Sequence, residues 1–469
     1  MTTPAPPPPA SPNRAISIVP LETPSLGDRS YVVHDGQVAF VVDPQRDIDR
    51  VRQILDDAGV RLTHALETHI HNDYVTGGYA LAQAYGAAYH VNADDEVSFA
   101  RVPTRDGDVI DVSPALRVTA LATPGHTFTH LSYALTSPNA DTNRTIAVFT
   151  GGSLLFGSTG RPDLLGPEHT DALARHQYAS AHRLAAHVDD AAQVMPTHGF
   201  GSLCSSSQSD ATESTMGRER RTNPVLTQDE QAWIEDMLDG LDVYPAYYVH
   251  MGPLNAAGPG DPDLSPPEPT DAATLRARLE AGEWVVDLRN RTAFAAGHVP
   301  GTFNLGIDGQ MSTYLGWLMP WGTPLTLLGE NADQVAQAQR ELVRIGIDTL
   351  AGQATGDPAS WTPGPLAGFE RATFADLAQV RHHRPVNVVD VRRAPEWAES
   401  HIEGAFHLPL HEALRRRAEV PAGELWVHCA GGYRASIAAS ILAAGGLTVV
   451  AIDDEFDEAA KAGLPMTGS

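Results

Sequence analysis

The sequence predicts a multidomain α/β protein, and three observations carry that prediction. Short β-rich runs alternate with helical stretches along most of the 469 residues, the pattern of layered α/β architectures. Histidines and acids gather in loops that follow several of those strands. The C-terminal half also repeats itself. Val285-Val286-Asp287-Leu288-Arg289 is echoed by Val388-Val389-Asp390-Val391-Arg392, and Gly297-His298-Val299-Pro300-Gly301 by Ser400-His401-Ile402-Glu403-Gly404. Asp287 to Asp390 and His298 to His401 are both steps of 103 residues, so two copies of one small α/β module are expected.

In chain order, residues 1–14 are Pro-rich and are expected to be a disordered tail. They lack the basic start and apolar core of a secretion signal. The runs Tyr31-Val32-Val33 and Val38-Ala39-Phe40-Val41-Val42 flank His34-Asp35-Gly36, a hairpin signal. A helix is expected over 47–58, strands over 117–122 and 145–150, and helices over 170–188 and 227–241. The last opens with Thr227-Gln228-Asp229-Glu230, which reads as a capping box. The stretch from Pro253 to Pro269 reads as the clearest linker. The expected domains are 15–255, 272–356 and 369–469, joined by linkers over 256–271 and 357–368.

Composition narrows the function classes. The 32 basic and 58 acidic residues leave a formal charge of −26, which argues against nucleic acid and anionic membrane surfaces as partners. No apolar run approaches the ~20 residues that span a bilayer. Cys204 and Cys429 are the only cysteines, so a disulfide framework is excluded and a reducing cytoplasm with one or two working thiols is expected.

The chemistry is concentrated in two places. The first is Glu67-Thr68-His69-Ile70-His71-Asn72-Asp73-Tyr74, which follows an apolar strand. His69 and His71 at this spacing can face one metal ion together, although a polar loop capping backbone groups would read the same way. Thr123-Pro124-Gly125-His126 and Pro196-Thr197-His198-Gly199 place two more histidines after strands. His69, His71 and His126 are the metal candidates, with Asp73 and His198 as further donors. Tyr74 is either a ligand, a hydrogen-bond donor or a packed ring. Cys204, six residues after His198, either handles sulfur or packs as a small residue.

The second place is Cys429-Ala430-Gly431-Gly432-Tyr433-Arg434, between the strand Leu425-Trp426-Val427-His428 and an apolar helix. A cysteine there lies in a ring of backbone N–H groups at a helix N-terminus, which stabilises an anionic sulfur. Gly431 and Gly432 let the loop curl, and Arg434 can fix it or bind an anion. A phosphatase would use a similar cysteine–arginine loop. In the middle copy the corresponding stretch reads Leu327-Leu328-Gly329-Glu330, without a nucleophile.

Together, His69-x-His71-x-Asp73, His126, Phe149-Thr150-Gly151-Gly152, Gly160-Arg161-Pro162-Asp163 and His198 resemble the metallo-β-lactamase fold over roughly 16–255, in the persulfide dioxygenase branch. Asp390-Val391-Arg392, Glu396, His401-Ile402-Glu403-Gly404-Ala405 and the Cys429 loop resemble the rhodanese family over about 369–464. The resemblance implies an N-terminal αββα sandwich followed by two α/β rhodanese-like domains, the first inactive. It implies His69 and His126 as iron ligands with an aspartate at position 152, where this chain has Gly152. It implies Arg161 and Asp163 near the substrate, and Asp390, Arg392 and His401 as structural residues of the last domain. The expected function is oxidation of a low-molecular-weight thiol persulfide to sulfite, with sulfur transfer through a Cys429 persulfide. The alternatives are a sulfurtransferase with a degenerate first domain, and a zinc thioester hydrolase. One Fe(II) or Zn(II) is expected where the site is retained, and none otherwise. Small persulfides, thiosulfate or sulfite are the expected partners, and self-association is left open.

Overall fold

The computed structural model describes residues 15–138 and 144–468, and the expected tail over 1–14 lies outside the described residues. The described residues up to Asp239 form one compact unit with Gly252–Asp261. Gly240–Met251 and the residues from Pro262 onward form a second.

The first unit is built on two sheets. Strands β1 (Ser17–Thr23), β2 (Asp28–His34), β3 (Val38–Val42), β4 (Arg61–Leu66), β5 (Ala88–Asn92) and β6 (Val102–Thr104) pair in sequence order. Strands β7 (Val109–Asp111), β8 (Arg117–Ala122), β9 (Leu131–Thr136), β10 (Thr145–Gly151) and β11 (Gln193–Pro196) form the second sheet in the order β11-β10-β9-β8-β7. Side-chain alternation builds two cores from the first sheet. Tyr31, Val33, Phe40 and Val42 face Val118, Leu131, Tyr133 and Phe149 between the sheets. Val32, Ala39 and Val41 face Val51 and Leu55 of the helix Asp49–Ala58 and Leu81 of the helix Gly78–Tyr85. The helix Pro167–His187 anchors to the ends of the second sheet through Ser180 Oγ, 2.6 Å from the Pro124 carbonyl, and Arg183 on the Ala122 carbonyl at 2.8 Å. The result is the expected αββα sandwich.

Two local expectations are corrected. The helix read over 227–241 runs Glu230–Asp239. Asn223 caps a separate short helix, Pro224–Thr227, and Asp229 rather than Thr227 caps the next one, accepting from the Ala232 N–H at 3.2 Å. Pro253 lies inside the helix Tyr248–Ala257, not at the start of a linker. Asn255 fastens that segment: its amide accepts from the Thr76 N–H and donates to the carbonyls of His71 and Tyr74.

The second unit holds the repeat. Strands β12 (Trp284–Asp287), β13 (Phe303–Asn304), β14 (Leu325–Gly329) and β15 (Gly352–Thr355) form a sheet in the order β13-β12-β14-β15. Strands β16 (Glu370–Ala372), β17 (Asn387–Asp390), β18 (His401–Ile402), β19 (Phe406–His407), β20 (Leu425–His428), β21 (Val449–Ile452) and β22 (Met466–Thr467) follow. Five of them make a sheet in the order β16-β21-β20-β17-β19, and β18 pairs with β22. Both five- and four-stranded sheets are parallel throughout. The two share one topology, with β16 as the addition to the last module.

The repeat extends to side chains. Arg289 grips Asp287 through Nε and Nη2 and reaches the Gly297 carbonyl at 2.9 Å. Arg392 grips Asp390 the same way and reaches the Ser400 carbonyl at 2.6 Å. His298 stacks on Phe294 at 3.8 Å, and His401 on Trp397 at 3.6 Å. A planar guanidinium satisfying one carboxylate and one carbonyl ties the strand end to the loop after the next helix. Among the described residues, no helix is long and apolar enough to cross a membrane.

Candidate functional site

In the first unit, Asp43 organises the loops at the strand ends. It follows β3 and is, among the described residues, the non-glycine residue with positive φ, at 49°. Its carboxylate accepts from the Thr68 N–H and hydroxyl, both at 2.7 Å, and from the Thr197 hydroxyl. A strained backbone held by three hydrogen bonds is the kind of conformation that surrounding structure must over-determine. Through Thr68 and Thr197 it sets the loops that carry His69 and His198.

Five imidazoles then converge. The His69 ring centroid lies 4.1 Å from His71, 4.8 Å from His126, 4.9 Å from His130 and 5.4 Å from His198. All five are buried. Burial, reinforced by neighbouring imidazoles, holds His69 and His130 well below the ordinary range and His126 at about 3. His71 behaves oppositely. Burial would lower it, but the charge and hydrogen bond of Asp43, with Glu67 beside it, push it up to about 9. His198 is likewise pushed up by Asp73 and Asp28 against its own burial, with Nδ1 2.9 Å from Asp28 and 3.2 Å from Asp73.

The three metal candidates read from the sequence do not form one set. His71 Nε2 is turned to Asp43 and Glu67, each 3.3 Å away, and to the Tyr74 hydroxyl at 3.0 Å. Tyr74 is a packed ring and hydrogen-bond donor, stacked on His71 at 4.3 Å. Among the described residues, the groups whose donor atoms all lie within 4.8 Å of one another are His69 with His71 and His198, His126 with His198 and Cys204, Asp28 with Asp73 and His198, and Asp43 with Glu67 and His71. Asp163 lies outside these groups, both oxygens accepting from Arg161 at 2.7 Å. At Gly152 a Cβ would meet the His126 ring, so the imidazole fills the space a larger residue would need.

These residues fit a metal ion. His126 Nε2 and His71 Nδ1 are buried and have no hydrogen-bond partner. His126 donates from Nδ1 to the Arg161 carbonyl at 2.8 Å, which leaves Nε2 as a lone pair. Such an atom without a partner is costly inside a protein. The absence of a carboxylate at 152 removes the oxygen ligand of a two-histidine, one-carboxylate iron site there and favours nitrogen and sulfur donors.

In the second unit, Cys429 sits between β20 and the helix Tyr433–Ala444. Its Sγ accepts from the Gly432 N–H at 3.2 Å. Gly432 has φ +86°, and a Cβ there would meet Asp453, so the loop requires glycine on two counts. Arg434 donates to both oxygens of Glu396, at 2.6 and 2.7 Å. Burial would raise Glu396, but the Arg434 hydrogen bonds outweigh it and hold the carboxyl at about 2. The folded value lies below the ordinary 4.5, so the pair stabilises the fold above that pH and is lost as pH falls from 4.5 toward 2. The gap in melting temperature between wild type and Glu396→Gln should therefore close over that window. A gap independent of pH would contradict the ion pair.

A cavity of about 290 Å³ opens onto Cys429, Gly431, Tyr433 and Arg434, and its other wall is Arg291, Asp308, Gly309, Gln310 and Tyr314 of the middle module. Tyr433 ties the wall in place by donating to the Gly306 carbonyl at 2.7 Å. Arg291 pairs with Asp453 at 2.6 Å. The middle copy has no nucleophile for a local reason. Asp390 pairs with His428 across β17 and β20, and Asp287 with Leu328 across β12 and β14. The residue matching Cys429 is thus Gly329, and its loop to the next helix is one residue shorter.

The family described as Metallo-beta-lactamase superfamily matches residues 28–198, and the Rhodanese-like domain family matches residues 373–462. A hydroxyacylglutathione hydrolase of Synechococcus sp. (strain JA-2-3B'a(2-13)) is 31% identical over 236 residues, 45% of this chain and 89% of that protein. The chain belongs to the metallo-beta-lactamase superfamily. This superfamily member is also similar to the mitochondrial persulfide dioxygenase ETHE1 of Homo sapiens, 27% identical over 213 residues, 45% of this chain and 74% of that one. A solved structure titled as a metallo-beta-lactamase from Staphylococcus aureus subsp. aureus COL superposes with a TM-score of 0.66 at 26% identity, covering 73% of this chain and 100% of that chain.

Sequence reasoning about this superfamily member missed Asp28 and His130 in the first unit and the Arg291–Tyr314 wall in the second. His130 accepts from the Gly152 N–H at 3.0 Å. A second histidine four residues after His126 was the available signal for it. None marked Arg291, because the repeat aligns it with Ala394, which has no such role.

Proposed function

We propose that the chain is a sulfur-metabolism enzyme in which Cys429 carries sulfur as a persulfide, joined to a metal-dependent unit that acts on thiol-bound sulfur. The observation that carries this is the Gly432 N–H on Cys429 Sγ, at the floor of a cavity lined by Arg291 and Arg434. The Cys429 thiolate attacks the outer sulfur of thiosulfate or of a small persulfide. The S–S bond of the donor breaks, and sulfite or a thiolate leaves with the electron pair. The terminal sulfur anion left on Cys429 is stabilised by the loop N–H groups and the helix N-terminus. An acceptor nucleophile such as cyanide then attacks that sulfur, and the Cys429 thiolate leaves. Arg291 and Arg434 line the cavity, and their positive charge would attract the anionic part of the donor. Because Arg291 comes from the copy without a nucleophile, Arg291→Ala should raise KM for thiosulfate about tenfold, the scale of one charge-assisted hydrogen bond, with kcat little changed. An unaltered KM would remove Arg291 from the substrate site.

For the first unit, similarity to a persulfide dioxygenase supports oxidation of a small thiol persulfide to sulfite. A bound metal would supply a Lewis acid with open coordination positions. His126, His198 and His69 would hold it, while Asp28 and Asp73 orient His198 through Nδ1. Gly152 favours a second reading, in which this unit binds a thiol compound without oxygen chemistry. Oxygen uptake by purified, metal-analysed protein with a thiol persulfide separates the two. Turnover of a thioester instead would support the hydrolase reading suggested by the Synechococcus relative.

A further inference from the structure

The metal site of the first unit contains one donor whose role the reading above leaves undefined, Cys204. It is fully buried, and its Sγ lies within 4.8 Å of donor atoms of both His126 and His198. The second observation is His126 Nε2, itself fully buried and without a hydrogen-bond partner. We propose that Cys204 is a metal ligand: its thiolate, His126 Nε2 and the His198 imidazole bind one borderline-soft divalent ion, zinc in preference to ions that favour oxygen.

One residue fixes the two unusual donors relative to each other. The Arg161 N–H donates to the Cys204 carbonyl at 2.8 Å, while the Arg161 carbonyl accepts from His126 Nδ1 at 2.8 Å. Its guanidinium, clamped on Asp163, also reaches the Leu203 carbonyl at 3.4 Å. Sulfur and imidazole are thus held by a single peptide segment before any ion arrives. Gly160 keeps the arrangement close, since a Cβ there would meet the Gly152 carbonyl and His126. The His126 ring occupies the space beside Gly152, so no carboxylate from that strand end competes with the thiolate. His69 Nε2, 3.4 Å from His198 Nε2, offers a fourth donor. Binding deprotonates the thiol and releases that proton to solvent.

The inference rests on the reading that this unit holds a metal, and the test separates the two. The full chain carrying Cys429→Ser leaves Cys204 as its sole sulfur donor among cysteines. It is purified, analysed for metal, stripped and titrated with Co(II). Cobalt binding with a near-ultraviolet thiolate-to-metal charge-transfer band is expected. Adding Cys204→Asp, which keeps an anionic donor, should retain cobalt and lose the band. Cys204→Ser should weaken binding by more than the ~10–100-fold that loss of an outer-shell partner causes. Cobalt bound without the band would overturn the Cys204 ligand and leave the metal site standing. No metal in the purified chain and no cobalt binding would overturn both. If the Cys204 variants fail to fold, the band in the Cys429→Ser chain decides alone.

Discussion

Replacing Cys429 with serine is expected to lower thiosulfate-to-cyanide sulfur transfer by about 10³-fold or more, the scale of losing a covalent nucleophile. The hydroxyl is nearly the size of the thiol, so the buried loop should stay intact. It is a poor nucleophile toward sulfur and cannot carry the terminal sulfur anion that the Gly432 N–H faces. The cavity and the Arg434–Glu396 pair would persist, and donor binding should therefore survive. The measurement is initial-rate transfer together with equilibrium binding of thiosulfate. Undiminished transfer would rule out Cys429 as the carrier, and loss of binding alongside rate would show that the loop had collapsed.

Asp390→Ala is expected to destabilise the second unit by about 3–5 kcal/mol, the cost of leaving one partner of a buried pair uncompensated. Asp390 is fully buried, and Arg392 is only 4% exposed. The aspartate accepts from the Arg392 backbone N–H as well as from its guanidinium, and the guanidinium packs over the Phe456 ring at 3.5 Å. Removing the carboxylate leaves a nearly buried cation without its counter-ion. Set against the ~5–15 kcal/mol that holds most domains together, the loss is a large fraction. Urea unfolding followed by loss of transfer activity measures it. A change within the ~0–1 kcal/mol of a surface ion pair would refute the account.

The fold was legible because it is written in strand periodicity and in a repeat. Val41-Val42, Leu66 and Phe149 alternate as their strands require, and the 103-residue step survives as matched clamps at Arg289 and Arg392. Boundaries were less legible where capping residues compete. Asn223, Thr227 and Asp229 can each cap a helix, and the local choice depends on which backbone N–H groups tertiary packing leaves over. Pro253 reads as a breaker, yet the Asn255 amide holds its helix to the Thr76 loop. At the sites, spacing brought His69, His71, His126 and His198 into view. It could not show which nitrogen of His71 is spent on Asp43 and Glu67, because carboxylates from different strand ends decide that. Cys204 was ambiguous for the same reason, since His126, which has a donor atom within 4.8 Å of its sulfur, lies far off in sequence.

The wall of the Cys429 cavity has a consequence for how such a chain can be inherited. Arg291, Asp308 and Tyr314 come from the copy without a cysteine at the matching position, yet they line the cavity that opens onto Cys429. Selection on that cavity would therefore reach across both halves of the repeat. A recombination event that separated them would transmit a nucleophile without its enclosure.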